Sequence, residues 1–280
     1  MNNHPTRHLL RNIIFIILGV SVVTGCRVAS TVLPTPTLWA SVPVGPTATT
    51  LPTPTMALVF NDEFDSSHLN TNVWYTEHWW GRTNPPELQY YATDAFLLSD
   101  GILNIMGNKR SMGGMDYTSS IISTIKSFSF TDGYIEMRAK IPAGRGLWPA
   151  FWLTNDDGNK NKIWSEIDVF EFLCQEPTVL YMTFHYEDEQ GQSRQIGTHI
   201  NGPDFSKDFH IYAVNWSSES IVWFVDGVEQ FRVTEHLPSE PMYIIANLQI
   251  GGNWPGPPDD TTSFPANYQI DYIRVYQKSN

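Results

Sequence analysis

Beyond residue 56, apolar and polar residues alternate with a period of two through much of the chain. In Tyr134-Ile135-Glu136-Met137-Arg138-Ala139-Lys140-Ile141 every second side chain is apolar. This predicts a strand with Ile135, Met137, Ala139 and Ile141 on a core and Glu136 and Arg138 together on the other face. Further strands are predicted at 102–106, 211–216, 221–225 and 268–277. Asp100-Gly101 and Asp226-Gly227 stand between apolar runs, where a two-residue hairpin turn asks for residues that tolerate positive φ. No long stretch carries a helical apolar period, and many strands punctuated by turns predict an all-β sandwich.

One run breaks the alternation. Trp164-Ser165-Glu166-Ile167-Asp168-Val169-Phe170-Glu171-Phe172 is rich in β-formers, yet it holds three carboxylates within six residues. Strict alternation would put Glu166, Asp168 and Phe170 on one face and bury Glu171 with Ile167 and Val169. Burying an unpaired carboxylate costs several kcal/mol, comparable with the stability of a whole domain. One extra residue near Val169-Phe170, a β-bulge, returns Glu171 to the face of the other two acids. Glu166 and Glu171 then stand as strand positions four apart, roughly 13 Å between Cα atoms. Side chains leaning inward bring the carboxyls toward the roughly 5 Å separation used in retaining glycoside cleavage. Three like charges so close favour holding a proton on one of them, which a general acid requires.

The amino terminus changes the picture of where such a domain works. Arg7 and Arg11 precede an apolar run, Ile13 to Val23, that is too short to span a bilayer as a stable helix and reads as a signal peptide. Residues 27–56 repeat Leu-Pro-Thr-Pro-Thr at 33–37 and 51–55 and contain no acid, a composition that builds no core and predicts an extended spacer. Residues 57–280 are expected to form one catalytic domain. Residues 1–55 hold Arg7, Arg11 and Arg27 and no acid, so a formal net charge of −12 for the chain becomes −15 for the rest. That disfavours nucleic acid and, more weakly, sulfated polysaccharides. No zinc-ligand spacing, phosphate-binding glycine loop or Gly-x-Ser-x-Gly elbow is present, so no cofactor is expected in catalysis. Cys174 is expected to be a small buried hydrophobe.

Glu166-Ile-Asp168-Val-Phe-Glu171 resembles the bulged E-x-D-x-x-E signature of glycoside hydrolase family 16, in the form associated with laminarinase-like endo-β-1,3-glucanases. Glu87-Leu-Gln-Tyr-Tyr91, Gly144-Arg-Gly-Leu-Trp148-Pro-Ala-Phe-Trp152, Gly251-Gly-Asn-Trp254-Pro-Gly256 and Ile270-Asp271-Tyr-Ile-Arg-Val-Tyr276 resemble the family in the same order. The resemblance implies a jelly-roll β-sandwich with a concave sugar-binding sheet, Glu166 as nucleophile, Asp168 as its helper and Glu171 as general acid/base. Val23-Thr24-Gly25-Cys26 resembles a bacterial lipobox, which implies lipidation at Cys26 and an extracytoplasmic, membrane-anchored location. The partner expected is a neutral polysaccharide, and the protein is expected to be a monomer.

Sugar rings stack on aromatic side chains, and Trp148, Trp254 and Trp164 are the expected platforms, with Trp152, Trp216 and Trp223 assigned to core packing. The resemblance implies that Glu136 and Arg138 bind substrate hydroxyls, a surface ion pair being the other reading. His185, in Thr183-Phe-His-Tyr186 on what reads as the next strand, is expected to hydrogen-bond near the cleavage point, a structural histidine being the alternative. The resemblance also implies a structural calcium at Glu63, Gly133 and Asp271, for which ordinary surface groups are the alternative. Mixed-linkage β-1,3-1,4-glucan, agar or carrageenan as substrate, transfer to a sugar instead of water, and glycan binding without turnover all stay open.

Overall fold

The computed structural model describes residues 56–159 and 162–279. The expected signal peptide (1–26) with Cys26, and all of the 27–56 spacer except Met56, lie outside these residues. The strands in chain order are β1 (Met56–Asp62), β2 (Gln89–Tyr91), β3 (Phe96–Ser99), β4 (Ile102–Gly107), β5 (Tyr117–Ser119), β6 (Ile121–Ser123), β7 (Gly133–Lys140) and β8 (Leu147–Thr154). They continue with β9 (Ser165–Glu171), β10 (Val179–Glu187), β11 (Ser193–Asn201), β12 (His210–Trp216), β13 (Ile221–Val225), β14 (Val228–Val233), β15 (Tyr243–Ile250) and β16 (Ala266–Lys278). Among the described residues there is no α-helix.

Two antiparallel sheets form the jelly roll. One runs β14-β13-β12-β7-β16-β4-β3, with β1 also paired to β16; the other runs β11-β10-β9-β8-β15-β6. Their inner faces meet in one apolar core. Ile135, Met137 and Ala139 of β7, Tyr212 and Val214 of β12 and Ile270, Ile273 and Val275 of β16 supply one side. Phe151 and Leu153 of β8, Ile167 and Phe170 of β9, Phe184 of β10 and Leu248 of β15 supply the other. Cys174 is buried in the same core, and that burial pushes its thiol pKa well up. Both Asp-Gly pairs adopt left-handed turns, with φ of 54° and 73° at Asp100-Gly101 and 49° and 77° at Asp226-Gly227. Such turns match the twist of the strands they join.

Two expectations are corrected by the sheet assignment. The alternation of β7 is as predicted, but β7 belongs to the larger sheet, paired with β12 and β16, whereas the three acids are on β9 of the smaller one. Glu136 and Arg138 therefore point outward on the far side of the sandwich from the acids. There Arg138 pairs with Asp271 and lies 4.7 Å over the Phe209 ring, and Glu136 sits 3.8 Å from Arg274 and accepts from the Tyr134 hydroxyl.

The three groups expected to hold calcium are not gathered either. Glu63 is gripped through both oxygens by Arg274, at 2.9 and 2.7 Å. Gly133 packs against the Tyr276 carbonyl, while Asp271 contacts Arg138, five residues further along β7 and so roughly 17 Å away. These residues fit guanidinium partners and the strand ladder and do not form a coordination sphere.

Candidate active site

The bulge is present where the burial argument puts it. On the β8 side Ala150 pairs with Glu171 and Phe151 with Phe170, but Trp152 then pairs with Asp168, leaving Val169 as the extra residue. On the other side Tyr181 pairs with Glu171, Thr183 with Asp168 and His185 with Glu166. Glu166 and Glu171 are thus opposite neighbours four apart on both flanking strands, about 13 Å along the sheet. Ile167, Val169, Phe170 and Phe172 all enter the core. A bulge disrupts the ladder locally, and the Asp168 carbonyl within it accepts the indole N–H of Trp223, from β13 of the opposite sheet, at 2.7 Å.

Although the acids face away from the core, Glu166 is only 8% and Asp168 only 3% exposed, so neighbouring side chains wall a recess around them. His185 Nε2 lies 3.0 Å from Asp168 Oδ2. One ligand atom each from Glu166, Asp168 and His185 lies within 4.8 Å of the others, the one such group of three His, Cys, Asp or Glu residues among those described. Glu171 accepts the indole N–H of Trp148 on Oε1 at 3.0 Å. Burial raises the Glu171 pKa well above the ordinary glutamate value, and the negative charges of Asp168 and Glu166 add to the rise; His185 and the Trp148 bond oppose it. A carboxyl that keeps its proton thus shares one face with two further acids. That arrangement can donate a proton on one side of a bond and attack from the other.

Aromatic rings form the walls. Trp148 meets Trp254 edge-on at 5.1 Å, Trp254 meets Tyr181 at 4.8 Å, and Trp164 lies 6.0 Å from the His185 ring. These three tryptophans are half-buried beside the acids. Trp216 and Trp223 lie in the core. Trp152 is buried, but in a separate cluster with Tyr91, Ile121, Ala150, Tyr243 and Ile245, and its pairing with Asp168 puts it on the acids' side of the sheet. Its indole donates to Asn247 Oδ1 at 2.8 Å, and Asn247 Nδ2 donates to the Tyr91 hydroxyl at 3.0 Å.

Three of the sequence segments converge at one corner of this recess. Gly251 N donates to the Gly146 carbonyl at 2.8 Å, Leu88 N donates to the Ile250 carbonyl at 2.7 Å, and the Gln89 side chain accepts from Ile250 N at 2.7 Å. Gly251, at φ 72°, lies so close to Leu88 that a Cβ would be 2.5 Å from its Cγ. Only glycine combines that backbone with that approach.

The structure therefore brings together Glu166, Asp168, Glu171, His185, Trp148, Trp164 and Trp254. It separates Glu136, Arg138, Glu63, Gly133 and Asp271 from them. Sequence reasoning passed over Tyr181 and Thr183, which share the face of His185 on β10; the alternation through Tyr181-Met-Thr183-Phe-His185 was the signal. It also passed over the Tyr91–Asn247–Trp152 chain, whose members are far apart in sequence and carry no such pattern.

The profile of Glycosyl hydrolases family 16 matches residues 65–274. An endo-1,3-1,4-β-glycanase of Rhizobium meliloti is 35% identical over 78% of this chain, and the chain spans about half, 51%, of that relative's length. A β-glucanase of Rhodothermus marinus is 34% identical over 80% of this chain and 86% of its own. The solved laminarinase of Rhodothermus marinus superposes with a TM-score of 0.71 at 31% identity, covering 80% of this chain and 98% of that one. With the bulged acid strand, the aromatic walls and the jelly roll all in place, the chain belongs to Glycosyl hydrolases family 16.

Proposed function

We propose that this protein is a retaining endo-glycosidase that hydrolyses β-1,3-linked glucan. The observation that carries the reading is the bulge in β9, which puts Glu166 and Glu171 on one face with Asp168 between them. Glu171 gives its proton to the leaving glycosidic oxygen while a Glu166 oxygen bonds to the anomeric carbon, the C–O bond breaking with its electron pair on the departing oxygen. Glu171, now a carboxylate, takes a proton from water, whose oxygen displaces Glu166 and restores the original anomeric configuration. Asp168, with His185 against it, lies between the two glutamates and keeps Glu166 oriented. Trp148, Trp164 and Trp254 supply stacking surfaces for the sugar. No cofactor enters either step.

A β-1,3 preference is supported by the solved laminarinase of Rhodothermus marinus, and a mixed-linkage β-1,3-1,4 preference by the Rhizobium meliloti relative. Reducing-sugar release from laminarin, lichenan, agarose and κ-carrageenan separates them. Release from laminarin that disappears in Glu166→Gln and Glu171→Gln is expected; either variant keeping more than about a tenth of the wild-type rate refutes the assignment. The same proposal includes an extracytoplasmic location with a lipid anchor at Cys26, supported by the apolar run that ends in Val23-Thr24-Gly25-Cys26. Palmitate labelling that survives Cys26→Ala refutes the anchor.

A further inference from the structure

The bond between Trp148 and Glu171 does more than line the recess. An indole nitrogen has a hydrogen to give and no lone pair to receive one, so it can only donate. It donates to Oε1 of Glu171 at 3.0 Å. In a protonated carboxyl the carbonyl oxygen is the stronger acceptor, so this bond favours the form with the proton on Oε2. The donor is held by the fold: Trp148 lies within β8, paired with Gln249 of β15, and its ring abuts Trp254 at 5.1 Å and 90°. Trp254 is braced in turn by Tyr181, which pairs directly with Glu171 across the β9–β10 ladder. Strand, ring and partner ring therefore leave the indole N–H one direction, toward Oε1.

We propose that Trp148 is a positioning residue for the reaction: its N–H occupies Oε1 of Glu171 and keeps the acid's proton on Oε2, the oxygen that faces the scissile bond. The inference rests on the glycosidase reading above. In the first step the Oε2 proton passes to the glycosidic oxygen as its bond to the anomeric carbon breaks and Glu166 bonds to that carbon. The charge left on Glu171 is then stabilised by the same N–H, since a hydrogen bond to an ionised acceptor is stronger than one to a neutral acceptor. In the second step the water proton returns to Oε2.

Trp148→Phe keeps an aromatic face and removes the donor. The test compares kcat/KM of wild type and Trp148→Phe on a laminari-oligosaccharide and on a dinitrophenyl β-laminaribioside. The second leaving group departs without a proton, and kcat/KM covers only the steps through first bond cleavage. The expected result is a loss on the oligosaccharide about tenfold or more greater than the loss on the aryl glycoside, since any change in sugar stacking is shared by both substrates. The alkaline limb of the pH profile should also move to higher pH, because the ionised form of Glu171 has lost a donor. Equal losses on both substrates, or an unmoved alkaline limb, overturn the inference and leave Trp148 as a stacking platform alone.

Should Trp148→Phe fail to fold, the indole N–H resonance of Trp148 in wild type, assigned through its contacts with Trp254, decides the question instead. It should titrate with the pKa of the alkaline limb and stop titrating in Glu171→Gln; a resonance that does not titrate overturns the inference. Full activity of Glu171→Gln on the oligosaccharide would instead reject the glycosidase reading itself, whatever Trp148 does.

Discussion

Trp223→Phe tests whether the catalytic geometry depends on the opposite sheet. Trp223 is fully buried on β13, and its indole N–H satisfies the Asp168 carbonyl inside the bulge at 2.7 Å. Phenylalanine leaves that carbonyl buried without its donor, at a cost of about 1–3 kcal/mol. Shrinking a fully buried ring adds roughly 1–2 kcal/mol more. For a domain of this size a loss of about 2–5 kcal/mol lowers Tm by roughly 5–15 °C. Trp216→Phe is the control: Trp216 is equally buried, and its indole donates at 3.3 Å to the Pro238 carbonyl, away from the acids. Both variants should lose stability in a thermal melt followed by circular dichroism. Only Trp223→Phe should lose activity per folded molecule, assayed on laminarin well below either Tm, because the bulge carries Asp168 and Glu171. Small displacements of such groups are costly, and a loss of about tenfold or more is expected. Full activity in folded Trp223→Phe, or an equal loss in Trp216→Phe, refutes the reasoning.

Other outcomes follow from the same geometry. Glu171→Gln should raise Tm at neutral pH and leave it unchanged near pH 4. The folded pKa is raised, so above the ordinary glutamate value of 4.5 the unfolded chain ionises while the folded carboxyl still holds its proton, and wild type loses stability that the neutral amide keeps. A difference in Tm that does not grow with pH contradicts the assigned cause. Glu136→Gln and Arg138→Ala should leave KM for laminarin unchanged, because both side chains lie on the outer face of the opposite sheet; a several-fold rise in KM from either contradicts the sheet assignment.

Local physics wrote a good part of this protein into its sequence. Alternation in 134–141, the Asp-Gly turns and the cost of burying Glu171 are properties of neighbouring residues, and they predict strands, hairpins and a bulge correctly without any knowledge of what packs where. The site was legible for the same reason: Glu166, Asp168 and Glu171 lie within six residues, and one inserted residue decides whether they share a face. Partner choice was not legible. The outward face of β7 carries Glu136 and Arg138 whether it lines a sugar site or meets side chains of its own sheet, and only its pairing with β12 and β16 shows which. Trp152 looks like a core residue because it is large and apolar, but its place on the acids' side depends on the bulge in the neighbouring strand. Trp223 reaches Asp168 across 55 positions of chain, and Asn247 reaches Tyr91 across 156. Such contacts join groups distant in sequence that many strands or loops could carry, so they exist only once separate sheets have been laid together. The sequence determined the strands and the chemistry of the acid-bearing one; the tertiary structure decided which groups surround that chemistry and hold it in place.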